Sequence, residues 1–236
     1  MNFKNYFKST NDFIYNLILI FPLLMVYELL GFSVNYNFPF ELRNGADVLI
    51  RQFFLLFGKI GDLLLVLTLI LISIIFFVKA KKNLSKNSFN IFYLTLMIFE
   101  GLIFGSVLFI IFVNKPSLLI LGLSNLSILE KLYLAIGAGI FEEFIFRFLF
   151  IGLVSYLILL VLKINKIKLT FLLILLSSFL FSGFHYIGNF GDIFDWSTFL
   201  LRFTAGFYLG VLFIFRGFGI SVISHIVYDF IVLKGM

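Results

Sequence analysis

From Phe89 to Val113 the chain carries one charged residue, Glu100, so this segment presents a surface that only lipid or another protein face can cover. Similar apolar runs extend over Phe13 to Phe32, about Asp62 to Val78, Leu132 to Leu162, Leu169 to Ile187, Ser197 to Phe215 and Phe218 to Leu233. About 20 apolar residues cross the hydrocarbon of a bilayer as a helix. The fold class is therefore all-α, a polytopic transmembrane helical bundle of about seven to eight spans with interfacial helices. Composition agrees: 62% of residues are hydrophobic and 13% charged, against about 25% charged in soluble domains.

The basic residues lie between the runs. Lys4 and Lys8 precede the first, Lys79, Lys81, Lys82 and Lys86 follow the second, Lys163, Lys166 and Lys168 follow Leu162, and Arg216 separates the last two. If Leu132 to Leu162 crosses once, all of these fall on one side, which the positive-inside rule makes cytoplasmic, and the loop holding Asp192 and Asp195 lies outside. Splitting that stretch near Arg147 to Gly152 would move Lys163 to Lys168 outside, so charge favours seven spans over eight. The first run is longer than a signal-peptide core and no small-residue cleavage pattern follows it, so it reads as a retained span with the N-terminus cytoplasmic. Ala46 to Phe57 is amphipathic and is expected to lie in the interface or to re-enter the bilayer. The net charge of +6 encodes topology rather than nucleic-acid binding, and the absence of Cys excludes disulfides, thiolate metal sites and a cysteine nucleophile. One membrane domain is expected, with spans and an interfacial helix in 1–125 and the chemistry in 126–236.

That chemistry is located by ionisable residues inside apolar runs. An Asp, Glu or Arg at a span centre costs roughly 2.5 to 3.5 kcal/mol on insertion scales. Glu142, Glu143, Arg147 and Asp229 left unpaired would together cost on the order of 10 kcal/mol, so they should meet inside the bundle. Glu143 and Arg147 are four apart and share a helix face, as do His225 and Asp229. Glu142 and Glu143, about 100° apart on an α-helix, are not expected to point at one partner. The economical assignment pairs Glu143 with Arg147 and turns Glu142 toward a cavity. His185 closes its span four residues after Phe181, whose ring can pack beneath the imidazole. The chain's two His residues and a free carboxylate, arriving from three helices, suffice to hold and deprotonate a water. Glu142 would be the general base, while His185 and His225 orient that water or ligate a metal. Gly137, Ala138, Gly139, Gly206 and Gly210 would let helices approach closely.

Glu142-Glu143-x-x-x-Arg147, Phe181-x-x-x-His185 and His225-x-x-x-Asp229, in that order on separate spans, resemble the three motifs of the CPBP family of intramembrane proteases. That family groups type II CAAX prenyl endopeptidases with bacterial bacteriocin-processing and self-immunity (Abi-like) proteins, and the resemblance covers roughly residues 130 to 233. It implies an endopeptidase cutting a hydrophobic, lipidated or leader-type peptide in a bacterial plasma membrane, with a peptide or protein substrate and the lipid bilayer as partners. It implies Glu142 as the catalytic glutamate, Glu143 and Arg147 as its supports, and His185 as sharing water activation. His225 and Asp229 would complete the site and stabilise the oxyanion. A divalent metal such as zinc would take its ligands from Glu142, His185, His225 and Asp229; otherwise the glutamate acts alone. Asp229 stands where eukaryotic members have Asn, which places an acid beside His225 and favours a metal, and Phe148 stands where Gly often follows the motif Arg.

Simpler readings stand beside these. Glu143 and Arg147 also fit a purely structural ion pair that fixes helix register. Glu28 and Glu100 read as helix-packing hydrogen bonders, and Arg202 and Asp62 as side chains snorkelling from span ends. A proton-coupled transporter would use the same residue types, but the chain lacks the repeat and the paired broken helices of that class. A catalytically silent membrane scaffold or regulator is the other alternative.

Overall fold

The computed structural model describes residues 3–36, 41–61, 89–112, 126–188 and 191–235, with helical positions 63–65, 67, 68, 71, 74 and 78. Its described elements are helical: α1 (Phe3–Thr10), α2 (Phe13–Asn35), α3 (Gly45–Leu55), α4 (Ile91–Phe112), α5 (Ile128–Val161), α6 (Lys166–Phe184), α7 (Trp196–Arg216) and α8 (Phe218–Lys234). Among the described residues five helices, α2 and α4 to α7, are long and apolar enough to cross a membrane. The closing helix α8 is shorter, at 17 residues. The expected second span, Asp62 to Val78, falls largely outside the described residues, as do the basic cluster at 79–86 and the loop at 113–125.

The stretch that could have been one span or two is one helix. α5 starts at a capping box, in which Ser127 Oγ accepts from the Glu130 amide and the Glu130 carboxylate accepts from the Ser127 amide. It continues for 34 residues, about 50 Å at 1.5 Å per residue, so it must tilt or protrude from a hydrocarbon layer of about 30 Å. It is not α-helical throughout: Ala138–Glu142 and Phe144–Leu153 are π-helical turns. α7 and α8 are separated by Gly217, whose φ of +86° a side chain would strain.

One crossing by α5 brings the basic residues to one end. Asn11 Nδ2 donates to the Phe215 carbonyl, the Asn90 amide to Tyr15 Oη, and the Gly219 amide to Asn16 Oδ1. These bonds gather α1, the start of α2, the start of α4 and the α7–α8 corner. Ser182 Oγ donates to the Phe199 carbonyl, so α6 and α7 run antiparallel, with Asp192 and Asp195 at the opposite end. Lys163, Lys166, Lys168 and Arg216 thus share the end that carries the N-terminal helix.

α8 occupies the centre. Residues from Gly219 to His225 are buried, which an apolar helix tolerates only if its neighbours come close on several sides. Gly139 on α5 provides one approach, since a Cβ there would lie 3.0 Å from the Val222 carbonyl oxygen. α3 enters the bundle with its first turn, where Ala46 and Asp47 are buried, while Phe53 and Leu55 face outward. It packs on the segment of α5 that holds Glu142.

Candidate active site

α5 brings Glu142, Glu143 and Arg147 to the faces of α6, α7 and α8. Glu143 and Arg147 are both 0% exposed, and their ion pair, Arg147 Nη1 to Glu143 Oε1, is 2.9 Å long. The guanidinium is held further by Nη2 donating to the Gly206 carbonyl at 3.2 Å and by the Phe181 ring 4.5 Å beneath it. Gly206 permits this because α6 lies against it, with Ser178 Cα 3.3 Å from where a Cβ would be. α6 is tied to α5 by Ser177 Oγ donating to the Phe146 carbonyl at 2.6 Å.

Glu143 does more than pair with Arg147. Its Oε1 also accepts from His225 Nδ1 at 2.8 Å, and its Oε2 accepts from Ser221 Oγ at 2.5 Å. A carboxylate only accepts, so His225 carries its hydrogen on Nδ1 toward Glu143. Nε2 is then left to face the other two acids: Glu142 Oε2 lies 3.8 Å from it and Asp229 Oδ2 3.5 Å. Both glutamates therefore reach one imidazole, contrary to the expectation from α-helical geometry. The π-helical turns widen the local repeat, so successive side chains diverge by less than 100°, and an imidazole offers nitrogens on two sides.

Glu142 is buried, with its Oε1 accepting from Asn44 Nδ2 at 2.8 Å. The 3.8 Å between its Oε2 and His225 Nε2 is too long for a direct hydrogen bond and is a separation that a shared water bridges. Asp229, with 25% of its side chain exposed, is the most open acid of the group. His185 ends α6 with its ring edge-on to Phe181 at 5.3 Å, and the same phenyl lies 5.8 Å from His225. Phe181 thus packs against both imidazoles. All six residues singled out in the sequence come together around α8, with His185 joined to the rest through ring packing rather than a direct hydrogen bond.

Sequence reasoning missed two members. Ser221 sits four residues before His225, at the same spacing as His225 to Asp229, so the stripe Ser221, His225, Asp229 was readable in principle. Asn44 lies 98 residues from Glu142, and no local pattern connects them. Arg202 does not snorkel: it is 6% exposed, its Nη2 pairs with Asp192 and its guanidinium lies over Tyr186. The counter-charge that holds it comes from the neighbouring loop. Glu28 and Glu100 pair with Arg51 and Arg216 at 2.6 and 2.7 Å, as expected of packing residues; Asp62 lies outside the described residues.

Residues 124–231 match the family model described as type II CAAX prenyl endopeptidase, Rce1-like. This match supports the resemblance of that segment to the CPBP family of intramembrane proteases. No curated protein and no solved structure matches the chain. The Rce1-like segment contains every sequence-derived site residue and Ser221, and it begins just before α5; Asn44 reaches it from outside. With five described helices long and apolar enough to cross a membrane, and this likeness to a membrane-protease family, the chain is an integral membrane protein. As for the metal donors, among the described residues no group of three or more His, Cys, Asp or Glu is arranged to hold a metal ion.

Proposed function

We propose that the chain is an intramembrane endopeptidase in which Glu142 activates a water to hydrolyse a peptide bond. The observation that carries this reading is the gap between Glu142 Oε2 and His225 Nε2, flanked by a carboxylate and an imidazole whose orientations are fixed by Asn44 and Glu143. A water there loses a proton to Glu142 while its oxygen attacks the scissile carbonyl carbon. His225 Nε2, left without a hydrogen by the bond from Nδ1 to Glu143, accepts the water's other hydrogen and so helps to aim its oxygen, while Asp229 is the most open acid beside it. As the C–N bond breaks, Glu142 returns the proton to the leaving amine. Arg147 keeps Glu143 in place, and Glu143 holds the imidazole tautomer, in the way that outer partners orient reactive His side chains in other sites.

The reading assigns water activation to Glu142 without a metal; among the described residues no group of three or more His, Cys, Asp or Glu is arranged as a metal site. The substrate is a hydrophobic peptide, with a lipidated or leader-type peptide favoured by the apolar surroundings and by the prenyl endopeptidase likeness. The chain sits in a bacterial plasma membrane with its basic end, and so its N-terminus, in the cytoplasm.

The test uses purified full-length protein in lipid nanodiscs with a panel of hydrophobic peptides, with and without a prenylated cysteine. Cleavage is expected from the native protein, with Glu142→Gln folded but slower by about 10²- to 10⁴-fold. Equal cleavage by Glu142→Gln overturns the reading. Activity is expected to survive a zinc chelator; loss that added zinc restores would transfer water activation to a metal.

A further inference from the structure

We propose that Asn44, on the segment between α2 and α3 and outside the Rce1-like segment, is the positioning residue for the Glu142 carboxylate. The inference rests on the reading of Glu142 as the group that activates water.

The Asn44 amide has two fixed partners. Its Oδ1 caps α3 by accepting from the Ala46 amide at 2.8 Å, and its Nδ2 donates to Glu142 Oε1 at 2.8 Å. Turning the amide over would set its oxygen against a carboxylate oxygen and its NH₂ against an N–H, so both contacts would become repulsive. The cap therefore dictates that a donor faces Glu142. With Oε1 occupied, Oε2 is the oxygen left for the water shared with His225.

Asn44 is held firmly enough to act this way. Asp47, three residues on and 1% exposed, accepts from Tyr27 Oη at 2.7 Å, Arg43 Nη1 at 3.1 Å and Arg51 Nε at 2.8 Å. Tyr27 stacks on Tyr133 of α5 with centroids 4.6 Å apart. The α3 segment is thus clamped to both α2 and α5. Gly137 lets it sit close, since a Cβ there would lie 3.3 Å from Asn44 Cβ. Phe184, the neighbour of His185, covers Gly45 from the other side. The Asn44–Gly45 segment therefore touches both the helix of the base and the end of the helix carrying His185.

Three variants separate positioning from capping. Asn44→Ser and Asn44→Asp both keep a side-chain oxygen for the α3 cap, but the serine hydroxyl is one atom too short to replace Nδ2 against Glu142 and the aspartate sets an acceptor of like charge there; Asn44→Ala lacks both groups. If Asn44 positions Glu142, Ser lowers kcat by about ten- to a hundred-fold with KM within about two-fold and an unchanged melting temperature, while Asp lowers kcat and also melts earlier through like-charge repulsion. The carboxylate infrared band that vanishes in Glu142→Gln should also be displaced in Asn44→Ser. If Asn44 is only a cap, Ser keeps native kcat and the native band while Ala melts early, and the proposal fails. An active Glu142→Gln would sink the parent reading, whereas an inactive Glu142→Gln beside a fully active Asn44→Ser would sink this inference alone.

Discussion

Replacing Arg147 with methionine should destabilise the protein far more than an ordinary core substitution, and the second site that rescues it can be named. Both members of the Glu143 and Arg147 pair are fully buried, so removing the cation leaves Glu143 charged in a dry interior. Breaking a buried pair in this way costs about 3 to 5 kcal/mol. The orphaned Gly206 carbonyl adds roughly 1 kcal/mol more, while methionine recovers some packing against Phe181. Glu143 still accepts from Ser221 and His225, which keeps the loss toward the lower end of that range. Glu143→Gln added to Arg147→Met removes the stranded charge. The glutamine oxygen can keep the bond to His225 Nδ1, and its NH₂ can face Ser221 Oγ, which turns to donate to the Leu209 carbonyl 3.3 Å away. The double variant should therefore regain at least about 2 kcal/mol, because two neutral groups replace a desolvated pair. Unfolding by graded denaturant in mixed micelles, followed by circular dichroism, measures both values. A single variant within about 1 kcal/mol of native, the range of exposed ion pairs, or a double variant no better than the single, would refute the claim that charge burial dominates here.

Ser221→Ala removes one hydrogen bond to the buried Glu143 carboxylate, and it should cost about 1.5 to 3 kcal/mol of stability by the same denaturant assay. Its kcat should fall as well, since Glu143 then holds the His225 ring less firmly. Asp192→Asn weakens the link from Arg202 to the loop whose Asp192 amide donates to the His185 carbonyl. Because Asp192 is partly solvated, stability should change by less than about 1 kcal/mol, while kcat drops roughly ten-fold as His185 loses its fixed place. Unchanged turnover in that variant would show that His185 is positioned by Phe181 and Phe184 alone.

Six residues of the site were legible because hydrocarbon is intolerant of charge. An acid, a base or an imidazole inside an apolar run has to be paired, so Glu142, Glu143, Arg147, His185, His225 and Asp229 announce themselves, and spacing of four assigns Glu143 to Arg147. Which oxygen meets which nitrogen was not legible. The prediction that neighbouring glutamates cannot share a partner assumed α-helical geometry, and the π-helical turns of α5, which depend on how α5 packs against α6 and α8, removed that assumption. Arg202 was misjudged for a related reason: its counter-charge sits across a turn, and distance through the fold cannot be read from position in a run.

The sequence by itself determined that the chain is a helical membrane bundle, which residues are too costly to leave facing lipid, and on which end the lysines gather, because transfer free energies are local properties of each side chain. Tertiary structure decided that Ile128–Val161 is one continuous helix, that Ser221 and Asn44 join the candidate site, and that His225 lies among two glutamates and an aspartate. These depend on contacts between residues as far apart as 44 and 142, which arise only when close-packed helices are brought together through glycine and held by hydrogen bonds between them.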